Sequence, residues 1–116
     1  IESRSFEGIK LQGDDLIQAL QFALWQLEEL RHWERDVLFD AMKTLADTMD
    51  IKIKDFFAPL FIAISGSTAS ISVIDSMAIL GPDMSRARVR FAINQLGGVG
   101  KKKLKKLEKS YQEIAK

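Results

Sequence analysis

The sequence predicts an all-α fold, a compact assembly of about five to six helices, and three observations carry that prediction. Apolar residues recur every three to four positions from Leu16 to Met49 and again from Leu104 to Ile114, the period of a helix with one buried face. Turn residues at Gly66, Gly81-Pro82 and Gly97-Gly98 divide the remainder into helix-length pieces. The chain has 116 residues, 47% of them apolar, which suits one domain with a real core and excludes whole-chain disorder.

Residues 1–13 mix Ser3, Ser5, Gly8 and Gly13 with few apolar positions and read as an extended lead-in or a linker. No secretory signal stands at the front, and with Ile1 in place of a methionine the chain reads as a piece of something longer. Asp14 and Asp15 offer an N-cap to a helix whose stripe runs Leu16, Leu20, Ala23, Leu27, Leu30. That stripe continues through Trp33, Val37, Ala41, Leu45 and Met49 without Gly or Pro. So long a helix is unusual in a small domain, and a break is expected near residues 32–34.

Asp55 can cap the next helix, with Pro59 in or near its first turn. The run from Leu60 to Ile64 is rich enough in β-branched and aromatic residues for a buried strand, but no partner strand is evident, which favours helix. Gly66 then reads as a C′ residue with a left-handed backbone. Ser72 and Asp75 have capping-box spacing before a short helix ending at Gly81. Pro82 starts another, in which Arg86 and Arg90 share a face and Arg88 points elsewhere. Gly97-Gly98-Val99-Gly100 is a flexible stop. Leu104, Leu107, Tyr111 and Ile114 then define a basic amphipathic helix that either docks or floats.

Charge is divided along the chain. Residues 1–83 carry seven basic and fourteen acidic side chains, while residues 84–116 carry ten basic and two acidic. Such a split serves attraction to a polyanion, attraction between the two halves, or solubility. With no cysteine and one histidine, a thiol nucleophile, a Cys-based zinc site and a His-rich metal cluster are excluded. His32 reads as a surface or junction residue. Glu28, Glu29, Glu34, Asp36, Asp40 and Asp47 read as a solvated face, and Phe22, Trp25 and Trp33 as core. The glycine-bearing loops do not have the lysine and hydroxyl of a phosphate loop at the required spacing after a strand. No catalytic or metal-binding residue is therefore assigned, and no apolar run is long enough to span a membrane.

Binding is the better-supported chemistry. Thr68, Ser70 and Ser72 precede a helix start, where backbone N–H groups and the dipole favour phosphate, although helix capping explains each hydroxyl equally well. Arg86, Arg88 and Arg90 add guanidinium groups just downstream, suited to phosphates and base faces.

Residues 66–70 (Gly-Ser-Thr-Ala-Ser), then residues 76–81 (Ser-Met-Ala-Ile-Leu-Gly), then Ser85 with Arg88, resemble the C-terminal anticodon-binding domain of bacterial-type glutamyl-tRNA synthetases. Trp33 ahead of Val37 to Met42, and Ile51 to Lys54 leading to Pro59-Leu60, follow in the same order and spacing. The resemblance covers residues 25–97. It implies an all-helical cage over residues 14–97 that holds the anticodon loop of tRNA-Glu, with tRNA-Gln as the alternative. It implies also that upstream synthetase domains, cytoplasmic and engaged in protein biosynthesis, hold ATP and magnesium, with no cofactor in this chain. The tRNA-binding residues carried over by direct match are Gly66, Ser67, Thr68, Ser70 and Arg88, to which position adds Arg86 and Arg90. Two positions depart from the pattern: Phe61 stands where the family has arginine, and Ile71 where it has proline. Residues 98–116, the basic helix, have no counterpart in it. The contrasting reading is a helical protein-interaction domain, or the appendage of a related class I synthetase, with a basic tail. Since no acid/base constellation or phosphate loop is present, the isolated chain is expected to form no glutamyl-adenylate, as measured by ATP–pyrophosphate exchange; detectable exchange would refute this.

Overall fold

The computed structural model describes residues 3–65 and 72–114. Six helices follow a short 3-10 segment, Ser3–Phe6: α1 (Gly13–Glu29), α2 (Arg35–Thr48), α3 (Ile53–Ser65), α4 (Val73–Leu80), α5 (Pro82–Gln95) and α6 (Lys101–Ile114). Among the described residues there is no strand, so the apolar run from Leu60 to Ile64 is helical.

The first thirteen residues are less extended than their composition suggests. Phe6, in the 3-10 segment, is 1% exposed and belongs to the core. Gln12, the residue before α1, holds this segment by donating from Nε2 to the carbonyls of Phe6 at 2.8 Å and Ile9 at 3.0 Å. Gln12 is also the N-cap position, without a side-chain cap. Asp14 and Asp15 therefore lie inside the first turn instead of capping it, where their charges favour the helix dipole.

The break between α1 and α2 falls at residues 30–34, with Leu30 and Glu34 both extended. Trp33 explains the break, because its indole Nε1 donates to the Met77 carbonyl of α4 at 2.8 Å, which a continuous helix would not allow. At the far end of α2, Asp50 takes φ of +58°, and the Ile51 amide reaches back to Ala46 O at 2.9 Å. Asp tolerates this left-handed position better than most residues, and it does the work of a C-terminal glycine.

Three capping expectations are corrected. α3 starts at Ile53, not at Asp55, and Pro59 sits well inside it. An interior proline costs about 3 kcal/mol, and the helix persists because Phe56, Leu60, Ile62, Ala63 and Ile64 are all buried. Ser72 makes no side-chain cap for α4, and the Asp75 carboxylate that would complete a capping box is taken by Arg35, whose Nε lies 2.6 Å from Oδ1. The stop after α5 is hydrogen-bonded instead of free: Gly98 N donates to Ile93 O at 2.9 Å, with Gly98 at φ +72°.

α5 is the centre of the packing. It lies against α1, α3 and α4, placing Val89, Ala92 and Ile93 among Leu20, Leu27, Leu60 and Met77 in one cluster. Gly81 makes its entry possible, with φ +87° and ψ 171°, a region open essentially to glycine. α6 docks on α1: Leu107 and Tyr111 are buried, and the Tyr111 ring centroid lies 5.3 Å from those of Phe22 and Trp25.

Replacing Phe6 by Ala is expected to destabilise the domain by about 3–5 kcal/mol, while Glu7→Ala, an exposed neighbour, changes stability by less than about 0.5 kcal/mol. Chemical denaturation of both variants checks this. Equal stabilities would mean that the first segment is not part of the folded unit.

Candidate nucleic-acid interface

The short connection between α3 and α4 runs through residues 66–71. Gly66, Ser67, Thr68 and Ser70, together with the expected left-handed backbone of Gly66, lie outside the described residues. The helices flanking the connection, α3 and α4, are described; the arginines lie on α5, which packs against both.

Arg88, on α5, is half-buried, and its Nη1 donates to the carbonyl of Ile64. Ile64 is in the last turn of α3, so Arg88 stands where the chain leaves that helix for the connection. A helix C-terminus has unsatisfied carbonyls and a partial negative charge, so a guanidinium there is favourable. Among the described residues one N–H group is used in this way, of the five that a guanidinium carries.

Arg86 does the same for α1. Its Nε and Nη2 donate to Leu27 O at 3.2 and 2.9 Å, and its Cζ lies 5.5 Å from the Trp33 ring centroid, within cation–π range. Arg90 is exposed and pairs with Glu28 at 3.1 Å. The three arginines thus serve two helix ends instead of forming one patch: Arg86 and Arg90 face the end of α1, as their shared face requires, and Arg88 faces the end of α3.

Other residues of the motif explain themselves structurally. The Met77 carbonyl accepts from Trp33 Nε1 at 2.8 Å, from Gly81 N at 3.0 Å and more weakly from Ser85 Oγ at 3.4 Å. Ser85 is fully buried. Trp33, Ser85 and Gly81 therefore converge on one carbonyl at the crossing of α2, α4 and α5, one turn from Arg88. This is a scaffold for the arginine rather than a contact surface, and its parts are too far apart in sequence for spacing to reveal.

Arg35 is a cation that the sequence reading did not single out. It is exposed and sits at the first turn of α4 through Asp75, and its hydrogen bond to Asp75, followed by the charge of that carboxylate, holds its protonation firmer than usual. His32 and the six α1–α2 carboxylates are all exposed. Among the described residues no group of acidic and histidine side chains is placed to hold a metal ion, and no helix is long and apolar enough to cross a membrane.

A family model described as the anticodon binding domain matches residues 2–93, which takes in every element from the 3-10 segment to α5. The chain belongs to the anticodon binding domain family. Its similarity to curated relatives extends further along the chain. It is 59% identical over 114 residues to the glutamate–tRNA ligase of Marinomonas sp. (strain MWYL1), covering 98% of this chain. It is 57% identical over 115 residues to that of Saccharophagus degradans (strain 2-40), covering 99%, and 43% identical over 114 residues to that of Pseudomonas fluorescens (strain Pf0-1), covering 98%. The chain spans 23% of the length of each of these relatives. The alignments therefore include α6, which lies beyond the family match.

α6 is fastened to α1 by polar groups as well as by packing. Lys103 pairs with Asp14. The Tyr111 hydroxyl donates to the Glu29 carboxylate and lies 3.0 Å from Gln26 Oε1. Burial, then the hydrogen bond to Glu29 and the charges of Glu29 and Glu28, push the phenol well above its usual range. A folded-state pKa above the unfolded value means that the stabilisation is complete below about pH 10 and is lost as pH rises beyond it. Tyr111 is the chain's one tyrosine, so its phenolate absorbance reports it alone. Spectrophotometric titration is expected to show no ionisation near pH 10 until the domain unfolds, and Tyr111→Phe is expected to reduce the stability loss above that pH. A normal titration in the folded chain would show that α6 is not docked in this way.

Proposed function

We propose that this chain holds the anticodon arm of tRNA for a glutamate–tRNA ligase. The observation that carries the reading is the similarity of nearly the whole chain to glutamate–tRNA ligases, 59% in one case, together with its membership of the anticodon binding domain family. In this reading the remainder of the parent protein supplies glutamate activation, using ATP and magnesium in the cytoplasm, and this chain contributes binding and orientation. tRNA-Glu is the proposed partner, with tRNA-Gln as the second candidate. Residues 14–97 form the recognition unit, with residues 1–13 leading in and residues 98–116 adding the basic helix.

The proposed contacts are Gly66, Ser67, Thr68 and Ser70 in the connection, with Arg88 beside it and Arg86 and Arg90 along the same helix. Arg88 has two tasks in this reading. Its bond to Ile64 O holds the end of α3 from which the connection departs, and other donors of its fork meet a phosphate or a base edge. Phe61 in place of the family's arginine removes one guanidinium from the neighbouring helix, so the reading places more of the charge recognition on α5.

Arg88→Ala is expected to weaken binding of an anticodon stem-loop matching tRNA-Glu by roughly 1–3 kcal/mol. The variant also leaves the Ile64 carbonyl without its donor, costing about 1 kcal/mol or more in stability. Binding is therefore measured well below the variant's melting temperature, with a matched and a mismatched stem-loop. Unchanged affinity for both RNAs would remove Arg88 from the interface.

A further inference from the structure

We infer that the outward face of α6 is a second RNA contact, one that grips the sugar–phosphate backbone without reading bases; the inference rests on the tRNA-binding reading above. α6 lies outside the span of the family match, and its charge pattern has no explanation within the fold. It carries six lysines and two glutamates in 14 residues. Lys101, Lys102 and Lys103 fill its first turn, with no acidic residue there, although the helix dipole disfavours cations at that end. Lys101 and Lys105, Lys102 and Lys106, and Lys105 and Lys109 are like-charged pairs four residues apart, which repel on a helix surface.

Attraction between the basic end and the acidic body does not account for these lysines. Among the described residues, Lys103 is the α6 lysine with an ion pair to the body, through Asp14. Lys101, Lys102, Lys105, Lys106 and Lys109 are exposed and have no ion pair among the described residues. The opposite side of the helix is committed to α1 through Leu107 and Tyr111, with Leu104 and Ile114 partly covered. Docking thus fixes which way the lysines face. Lys102, Lys105 and Lys109 lie at i, i+3 and i+7, one ridge about 10 Å long, with Lys101 and Lys106 beside it.

A row of ammonium groups on a docked helix, lacking the planar fork of arginine and aromatic neighbours on its ridge, suits repeated phosphates better than bases. It also adjoins the arginine helix: Arg90 of α5 and Leu104 and Glu108 of α6 line one groove. Although Glu28 and Glu108 also line that groove, the helix next to the arginine-bearing face of α5 is thereby α6. Phosphate binding there would relieve the repulsion within the helix, which no side chain of the body does.

The test compares the unmodified 116-residue chain with Lys102→Gln/Lys105→Gln/Lys109→Gln, and with a control, Lys43→Gln/Lys52→Gln/Lys54→Gln, whose lysines are also exposed but lie on α2 and α3 and between them. Binding of matched and mismatched anticodon stem-loops and of full-length tRNA-Glu transcript is measured across a salt series. The α6 variant is expected to reduce the slope of log K against log salt by about 2 to 3 in magnitude, weakening matched and mismatched RNA by the same factor, while the control leaves the slope unchanged. An unchanged slope in the α6 variant, or a loss confined to the matched RNA, overturns the inference while leaving the tRNA-binding reading intact. If the unmodified chain binds no RNA, that reading fails and this one with it. Poly-glutamate is included as a competitor of another class: if it binds as tightly as RNA and depends on the same three lysines, the face is a site for acidic polypeptides and the inference falls.

Discussion

A helix that ends inside a protein leaves carbonyl groups that must find donors, and this constraint organises the whole fold. α1 and α3 both end against α5, and α5 meets them with Arg86 at Leu27 O and Arg88 at Ile64 O. Two residues apart, these side chains diverge around one helix and close two others. Val89, next to Arg88, is fully buried, so the same turn supplies the apolar contact that brings the three helices together. The bonds add direction to a hydrophobic association that would otherwise have little.

The candidate interface inherits its geometry from that arrangement. Arg88 can stand beside the connection between α3 and α4 because α5 is seated by Val89, Ala92 and Ile93, because Gly81 turns the chain sharply enough to bring α5 back, and because Ser85 and Trp33 bind the Met77 carbonyl at the crossing. The proposed contact residues and the packing residues alternate along a single helix. A substitution in the packing set would therefore move the arginines without altering any of the proposed contact groups.

Much of the fold was legible because helical periodicity and glycine punctuation are local. The stripes from Leu16 and Leu104, the break before α2 and the Gly81-Pro82 turn all stand where their patterns place them. What failed were assignments resting on one residue's local preference, each overridden by a distant partner. Asp75 had the spacing to cap α4 but meets Arg35, forty positions away. Asp55 and Pro59 signalled a helix start, yet the buried apolar side chains around them extend α3 two residues earlier. Asp50 carried no glycine signal, and Phe6 looked like part of a linker because one aromatic among polar residues has no period. Within the candidate site, the motif singled out Arg88 as a proposed contact. Its carbonyl partner was not legible, nor were those of Arg86 and Ser85, since nothing in a linear pattern marks a backbone acceptor on another helix.

The pairing of α1 with α5 has a consequence for how the chain reaches its native state. Arg86 and Leu27 are 59 positions apart, so the principal helix pair encloses α2, α3 and α4 in the loop it must close. Contacts between distant segments form more slowly than those between neighbours, since the entropy of loop closure must be met before they stabilise anything. During synthesis, which proceeds from the N-terminus, α1 emerges with its apolar face complete and its partner not yet made. The contacts available first are those of α1 with α2 and α3, and they must shelter Leu20 and Leu27 until α5 arrives. Assembly of this domain is therefore a late event for its earliest helix, and α5 acts as the clasp.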